Sequence, residues 1–518
     1  MKRIKGIKIY IIILSLFGAV GCSDLLEQEP VSITHPDVFW TSQDNAEQAL
    51  AGAYGLLKYA LTNQANFLFW GEYTGMTFLD SKFWITDYIE NSGDFVLAYR
   101  DASRDWTHFY RVANWANTIE QYVKGMPDEV FESKQEKDRI IGEAAFVRGL
   151  AYFYIARIWG DAPIVEESLE SSSQLVDDDG YVVTIPRSDE LEVLDFALAA
   201  TNKSIDLLRY SSPGAEGWAI TANKASAEAL KAHITLWYAS RDNDNGEMIQ
   251  QAIDATTKVI NNSGTSLIDY VAEGEVGFNR MCLGQSETGL FEINFDSDLD
   301  EAFRIETNAG NHVGATLNAP IVYQNRNTGH TLEYNADRYG NEMMNTDPDR
   351  ENDMRKDLFF YSYNDNSDNF LSFLMKYSHT SQDPADPQNA SAQFSESNIL
   401  IFRLADMYLL RAEAYARQGN AGLAMADLNE IRSKANVPDY MGATDRGSLM
   451  KAIFDERAIE FVGEAQSGFD RIRMDYFDGV SWANQTRIEK EGYFWPVLPG
   501  VISINPAIVQ TEFWRGKL

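Results

Sequence analysis

The sequence predicts a mainly α-helical protein in which helix pairs alternate with long irregular loops and a few short strands. Three observations carry this reading. Apolar residues recur at helical spacing through about 41–261 and again through 399–463. Within the second stretch, residues 399–418 and 421–434 fit the spacing of a tetratricopeptide helix pair. Residues 63–100 and 263–396 lose the period and are rich in Asn, Asp, Gly and aromatic side chains, the composition of loops.

Taken in order, residues 1–21 read as an export leader. Lys2, Arg3, Lys5 and Lys8 precede an apolar run, Ile9 to Val20, that is shorter than the roughly 20 residues a bilayer-spanning helix needs. An uncleaved anchor is the alternative. Ala19-Val20-Gly21-Cys22 resembles a bacterial lipobox, which implies cleavage before Cys22 and acylation of that cysteine. Each buried methylene contributes about 0.8 kcal/mol, so several acyl chains would hold the protein on a membrane. Ser23, Asp24 and Glu27 follow, resembling a surface-export signal.

The first helix is expected over Thr41 to Leu61, with a Thr41–Asp44 capping box and a stripe of Ala46, Ala49, Leu50, Ala53, Tyr54 and Leu57. The second runs from Ala102 to Val123, with Trp106, Phe109, Ala113, Ala116, Ile119 and Val123 on one face. The third, Lys134 to Trp159, is apolar nearly all round in its C-terminal half and stops at Gly160, a pattern suited to burial between other helices. A fourth starts at Ser188 with acids in its first turn, where the helix dipole favours them. Helices follow at 222–240 and 247–261, as a looser copy of the 399–434 pair. In that pair Ala412, Tyr415, Gly419, Ala424 and Leu428 occupy the repeat positions; small residues let the helices approach while Tyr415 and Leu428 fill the seam. An ordinary helical hairpin is the alternative. A last helix is expected over Ser448–Gly463, and strands at Gly289–Phe295 and Phe370–Tyr377.

Composition excludes more than it names. The formal charge is −33, and loss of residues 1–21, which hold four cations and no acid, moves it to −37. Such a chain is repelled by phosphate backbones, so nucleic acid is not expected as a partner. With Cys22 acylated, Cys282 has no partner in the chain, which leaves it as a small buried hydrophobe.

Gly142–Tyr154 running into Arg157–Pro163, Arg403–Ala414, Asp427–Arg432, Asp455–Phe461, Phe469-Asp470, and the closing Trp495-Pro496-Val497-Leu498-Pro499 with Asn505-Pro506 form a set of motifs spread along the chain. Together they resemble the SusD/RagB family of outer-membrane nutrient-binding lipoproteins. Two departures stand out: Arg471-Ile472-Arg473-Met474 replaces a Leu-Arg-Arg-like run, and Trp-Pro-Val-Leu-Pro replaces Pro-Ile-Pro. The resemblance implies one SusD-like domain over 22–518, built on tetratricopeptide-like pairs with the loops packed on the other side. It also implies a partner, a SusC-like TonB-dependent barrel, and a ligand that is a glycan in most studied cases and a peptide in some. It carries no catalytic motif and no cofactor beyond the lipid on Cys22.

A glycan site needs flat rings beside amide, carboxylate or guanidinium groups, because sugars present C–H faces and hydroxyls. The loop-rich stretches supply Trp70, Tyr73, Trp84 and Tyr88, and then Tyr323, Asn325, Arg326 and Tyr334, as candidate ligand residues. For any single ring the alternative is that it pins a loop to the helical body. Trp106, Trp115 and Trp159 sit on helical stripes and belong to the core. Asp296, Asp298 and Asp300 alternate like the start of a calcium loop, but Glu301 and Thr307 stand where such a loop needs Gly and Glu, so a solvated turn is expected and no metal. No His-Glu-x-x-His pair, Gly-x-Ser-x-Gly elbow or phosphate loop is present. A non-catalytic binding protein is therefore expected; a surface glycoside hydrolase, whose two carboxylates need only meet in space, is the rival from another class.

Overall fold

The first long helix, α1 (Gln43–Thr62), is capped by Ser42, whose hydroxyl accepts from the Asn45 amide at 3.3 Å. The expected cap, Thr41, instead donates its hydroxyl to the Val38 carbonyl at 3.1 Å, so the helix begins later than its sequence pattern suggests. The computed structural model describes residues 36–72, 74, 93–96, 101–176, 183–295, 303–304, 344, 347–361, 373–382 and 393–517. Among these no helix is long and apolar enough to cross a membrane.

A short buried helix, α2 (Asn66–Gly71), precedes α3 (Thr107–Gly125) and α4 (Lys134–Trp159). The α4 boundaries are those read from the sequence, with Ser133 capping the start and Gly160 at φ 72° ending it. From Ile140 to Trp159 every residue but Arg148 is buried, because α1, α3 and α5 (Glu190–Leu207) all pack around it. The second-helix stripe, Trp106 to Val123, is buried, although Trp106 sits before the helix rather than inside it. Trp159 is likewise core, whereas Trp115 is half-buried and donates its indole N–H to the Ala49 carbonyl at 2.8 Å.

Two hairpins follow the tetratricopeptide pattern. The first is α6 (Lys224–Arg241) with α7 (Gly246–Asn262), whose caps, Asn223 and Asn245, each receive two backbone N–H groups. Such caps contribute about 1 kcal/mol apiece. Between the hairpins lie α8 (Tyr270–Leu283) and strand β1 (Gly289–Ile293). The sequence reading missed α8, because Gly274, at φ 52° within it, breaks the period.

Residues 399–403 were expected to open a helix. They form strand β2 (Ile399–Arg403), antiparallel to β1 and buried along its whole length. An unbroken apolar run of this kind reads equally as buried strand or buried helix, and pairing with β1 decides it. The second hairpin is then α9 (Leu404–Arg417) with α10 (Ala421–Lys434), and α7 packs against α9 so that the hairpins stack. Ala412, Ala424 and Leu428 are fully buried in the seam with Tyr415 packed against it, as the repeat spacing requires. Helices α11 (Arg446–Glu460) and α12 (Ser467–Met474) complete the frame.

The C-terminal segment closes the core as a strap. Trp495 donates its amide to Ile158 at 2.8 Å and stacks on Phe95 at 4.6 Å, and Leu498 donates to the Arg104 carbonyl at 3.0 Å. Arg187 reaches across to the carbonyls of Trp159 and Val509 at 2.7 and 2.8 Å, tying α4 to the chain end. One apolar cluster accordingly extends from Ala46 to Trp514.

Candidate functional site at the roots of the loop segments

Of the eight candidate ligand residues, Trp70 lies within the described chain; Tyr73, Trp84, Tyr88, Tyr323, Asn325, Arg326 and Tyr334 lie outside it. Cys22 and the Asp296, Asp298, Asp300 run also lie outside it. Trp70 is a correction to the sequence reading. It is 3 % exposed, donates its indole N–H to the Ser103 carbonyl at 2.9 Å, and packs on Phe109 and Trp159. Its ring has no open face to offer a ligand. Instead it anchors the end of α2 to the core.

That end is wedged against the turn after α11. A Cβ on Gly71 would stand 1.9 Å from the Ala465 carbonyl oxygen, so only glycine allows this approach. Glu72 follows, fully buried. Burial pushes its carboxyl up to about 8, against the pull of the Ala465 and Gln466 amides and of Lys376. Lys376 itself pairs with Glu464 and donates to the Glu460 carbonyl at 2.7 Å, while the Tyr377 hydroxyl donates to the Gly463 carbonyl.

From Glu464 a line of alternating buried charges runs back along α11. Arg403 pairs with Glu464 at 2.8 Å and Glu460 at 2.7 Å. Arg355 pairs with Glu460 at 2.8 Å, with Glu456 at 2.7 Å and with Asp353 at 2.8 Å. Arg350 reaches Glu456 at 2.6 Å. Burial alone would raise Glu460 and Glu456, but the facing guanidinium groups overcome it and hold each at about 2. The line ends at Asp347–Arg350, where the second candidate segment rejoins the described chain. Both segments that bear the candidate rings are therefore mounted on one buried frame. Buried pairs add little net stability over an apolar core, but they fix geometry, since breaking one leaves an uncompensated charge. Such a frame sets the spacing of whatever the loops carry.

A second buried network joins the hairpins to α12. Asp406 pairs with His233 and, at 2.7 Å, with Arg457; Arg457 pairs with Asp470 at 2.8 Å, and Arg473 bridges Asp470 and Glu413 at 2.7 and 2.8 Å. Burial lowers His233 despite Asp406, and the ring is 2 % exposed. Most of these groups are buried against one another, and Arg473 reaches the wall of a cleft between α6, α11 and α12. Cys282 is a free thiol, 1 % exposed, which burial pushes well above its ordinary range. Among the described residues no cluster of His, Cys, Asp and Glu is arranged to hold a metal ion.

The charged members of these networks, Arg403, Asp406, Glu413, Glu456, Arg457, Glu460 and Asp470, are the polar residues of the motifs that carried the family resemblance. Their partners Arg350, Arg355 and Lys376 went unrecognised. A charge inside an apolar run was the available signal, and it does not say which distant charge answers it.

Stacked tetratricopeptide-like hairpins braced by a buried charged frame define a helical scaffold protein. Two family models match in tandem: one described as starch-binding and associating with the outer membrane over residues 24–236, the other as the SusD family over 322–514. The chain belongs to the SusD/RagB family. It is 24 % identical to the SusD-like protein P38 of Formosa agariphila over 98 % of this chain and 99 % of that one. It is 38 % identical to the starch-binding protein SusD of Bacteroides thetaiotaomicron over 86 residues, 17 % of this chain and 14 % of that one. The crystal structure of a SusD homologue from the same bacterium shares the fold, with a TM-score of 0.75, 24 % identity, and coverage of 92 % of this chain and 99 % of that one.

Proposed function

We propose that this chain is a cell-surface lipoprotein of the outer membrane, anchored through Cys22, that binds an oligo- or polysaccharide without cleaving it. It passes the glycan to a SusC-like TonB-dependent transporter. The observation that carries the reading is the family match at both ends of the chain, one of whose models is described as starch-binding and associating with the outer membrane. The frame supports it, because the described residues beside the candidate segments, Gly71 and Asp347–Arg350, pack against α11 and the turn after it. Tyr73, Trp84, Tyr88, Tyr323 and Tyr334 supply faces for sugar C–H surfaces, while Asn325 and Arg326 orient hydroxyls. Trp70 fixes the end of α2, which precedes the first of these residues in the chain.

The test is retention on a panel of immobilised polysaccharides, with reducing ends measured in the flow-through. Retention without new reducing ends supports capture, and released sugar overturns it. Replacing Trp84 and Tyr334 together with Ala lowers retention several-fold if the loops form the platform, and unchanged retention by a folded variant removes them from it.

A further inference from the structure

A cleft of about 500 Å³ opens between the end of α10, the outer face of α11 and the turn after α12, with Asp347, Asp349 and Arg350 on its wall. Its floor is aromatic: Phe454 and Tyr476 lie 4.7 Å apart, and Tyr440 stands at the wall beside Met441, which is 85 % exposed. Tyr476 and Lys451 are shared with a second cleft of about 650 Å³, where Phe477 stacks on Tyr493 at 5.7 Å. The two form one groove across Tyr476. Each volume falls in the range of small-molecule sites, and the mixture of ring faces with polar groups suits sugar.

One side chain in the groove is under-served. The Arg432 guanidinium is 4 % exposed and lines the cleft, and its Nε donates to the Pro438 carbonyl at 2.7 Å. Its terminal nitrogens, however, find carboxylates only at 3.5 Å (Asp349) and 3.6 Å (Glu456). A charge-assisted pair is normally about 2.7–2.9 Å long. Glu456 is already taken by Arg350 at 2.6 Å and Arg355 at 2.7 Å, and the Asp349 side chain is half exposed. Lys451 is neutralised by Asp455. Burial, with the neighbouring Arg350, lowers Arg432 from its ordinary value against the pull of Glu456, Asp347 and Asp349. A planar fork that lacks a close anion, beside rings that offer stacking faces, calls for a ring carrying a carboxylate.

We propose that this groove is a carbohydrate site distinct from the loop segments, and that it takes a chain containing a uronate, its ring over Tyr476 and its carboxylate on Arg432. The inference rests on the glycan-binding reading above. It adds both a location and an acidic class of ligand.

The probes are polygalacturonate, alginate and hyaluronan, each beside its carboxyl-reduced form, with starch, xylan and laminarin as neutral polymers. The expected result is that the intact chain is retained on at least one uronate polymer and at least fivefold more weakly on its reduced form. Tyr476→Ala, at a half-buried position, weakens retention about five- to tenfold, the worth of one stacked ring at ~1 kcal/mol or slightly more. Arg432→Lys keeps a cation but loses the fork, and removes the preference for the acid form while the melting temperature stays within a few degrees. Equal retention of acid and reduced polymers overturns the proposal, as does undiminished retention of folded Tyr476→Ala. If that variant binds normally while the Trp84 and Tyr334 double variant does not, the groove fails and the loop reading stands. If the parent protein is retained by no polymer, both fail.

Discussion

Glu460 sits where the charged frame is most concentrated, which makes Glu460→Gln its sharpest probe. The carboxylate accepts from Arg403 at 2.7 Å, from Arg355 at 2.8 Å and from the Tyr270 hydroxyl at 3.0 Å. Glutamine keeps the shape but removes the charge, so two buried guanidinium groups lose a shared partner. Breaking a buried pair in this way costs about 3–5 kcal/mol. Unfolding entropy is roughly 2.1 cal/mol/K per residue near 60 °C, or about 1 kcal/mol/K for a chain of this size, so the melting temperature should fall by about 3–5 °C. Scanning calorimetry of parent and variant at pH 7 and equal concentration measures it. Arg403→Met should cost a similar amount, because Glu460 and Glu464 both lose the guanidinium they share. A fall of less than about 1 °C in both variants would show that the line of charges does not hold the frame.

Glu72 gives a pH signature of the opposite sense. Its folded carboxyl lies near 8 against an ordinary 4.5, so between those values the folded state keeps a proton that the unfolded chain releases. Stability therefore falls as pH rises through that window. Glu72→Gln should melt progressively higher than the parent from about pH 5 to about pH 8, and a constant difference across that range would refute the assignment. Cys282, buried and with its thiol pushed up, should resist a thiol-specific chromogenic reagent in the folded Cys22→Ser protein and react fully in guanidinium; stoichiometric labelling of the folded form would contradict the burial. In cells, Cys22→Ser should move the protein from the membrane fraction to the soluble one, and continued sedimentation with membranes would argue against acyl anchoring.

The scaffold was legible because amphipathic period is local: α4 and α10 have the boundaries read from the sequence, and the 399–434 spacing marked the seam residues that pack. Where local signals conflicted, long-range pairing decided. Ile399–Arg403 reads as apolar helix until Gly289–Ile293 lies beside it, and α8 hid behind Gly274. The site was less legible for a related reason. A ring in a period-less stretch signals exposure or anchoring alike, and Trp70 proved an anchor once the Ser103 carbonyl met its indole. Arg432 was visible only as part of a motif; what distinguishes it is the length of its ion pairs, which no spacing in the sequence encodes.

The strap formed by residues 493–514 has a consequence for the order in which the molecule can be assembled. Ile158, Arg104 and Phe95 receive their partners from Trp495 and Leu498, so the apolar end of α4 stays uncovered until residues 495–498 have been made. A growing polypeptide cannot seal itself early, and a truncated product ending near residue 490 would expose a wet seam of Trp and Phe to proteases. The cover over this seam therefore comes from residues far from it in sequence, and the body closes only once they are in place.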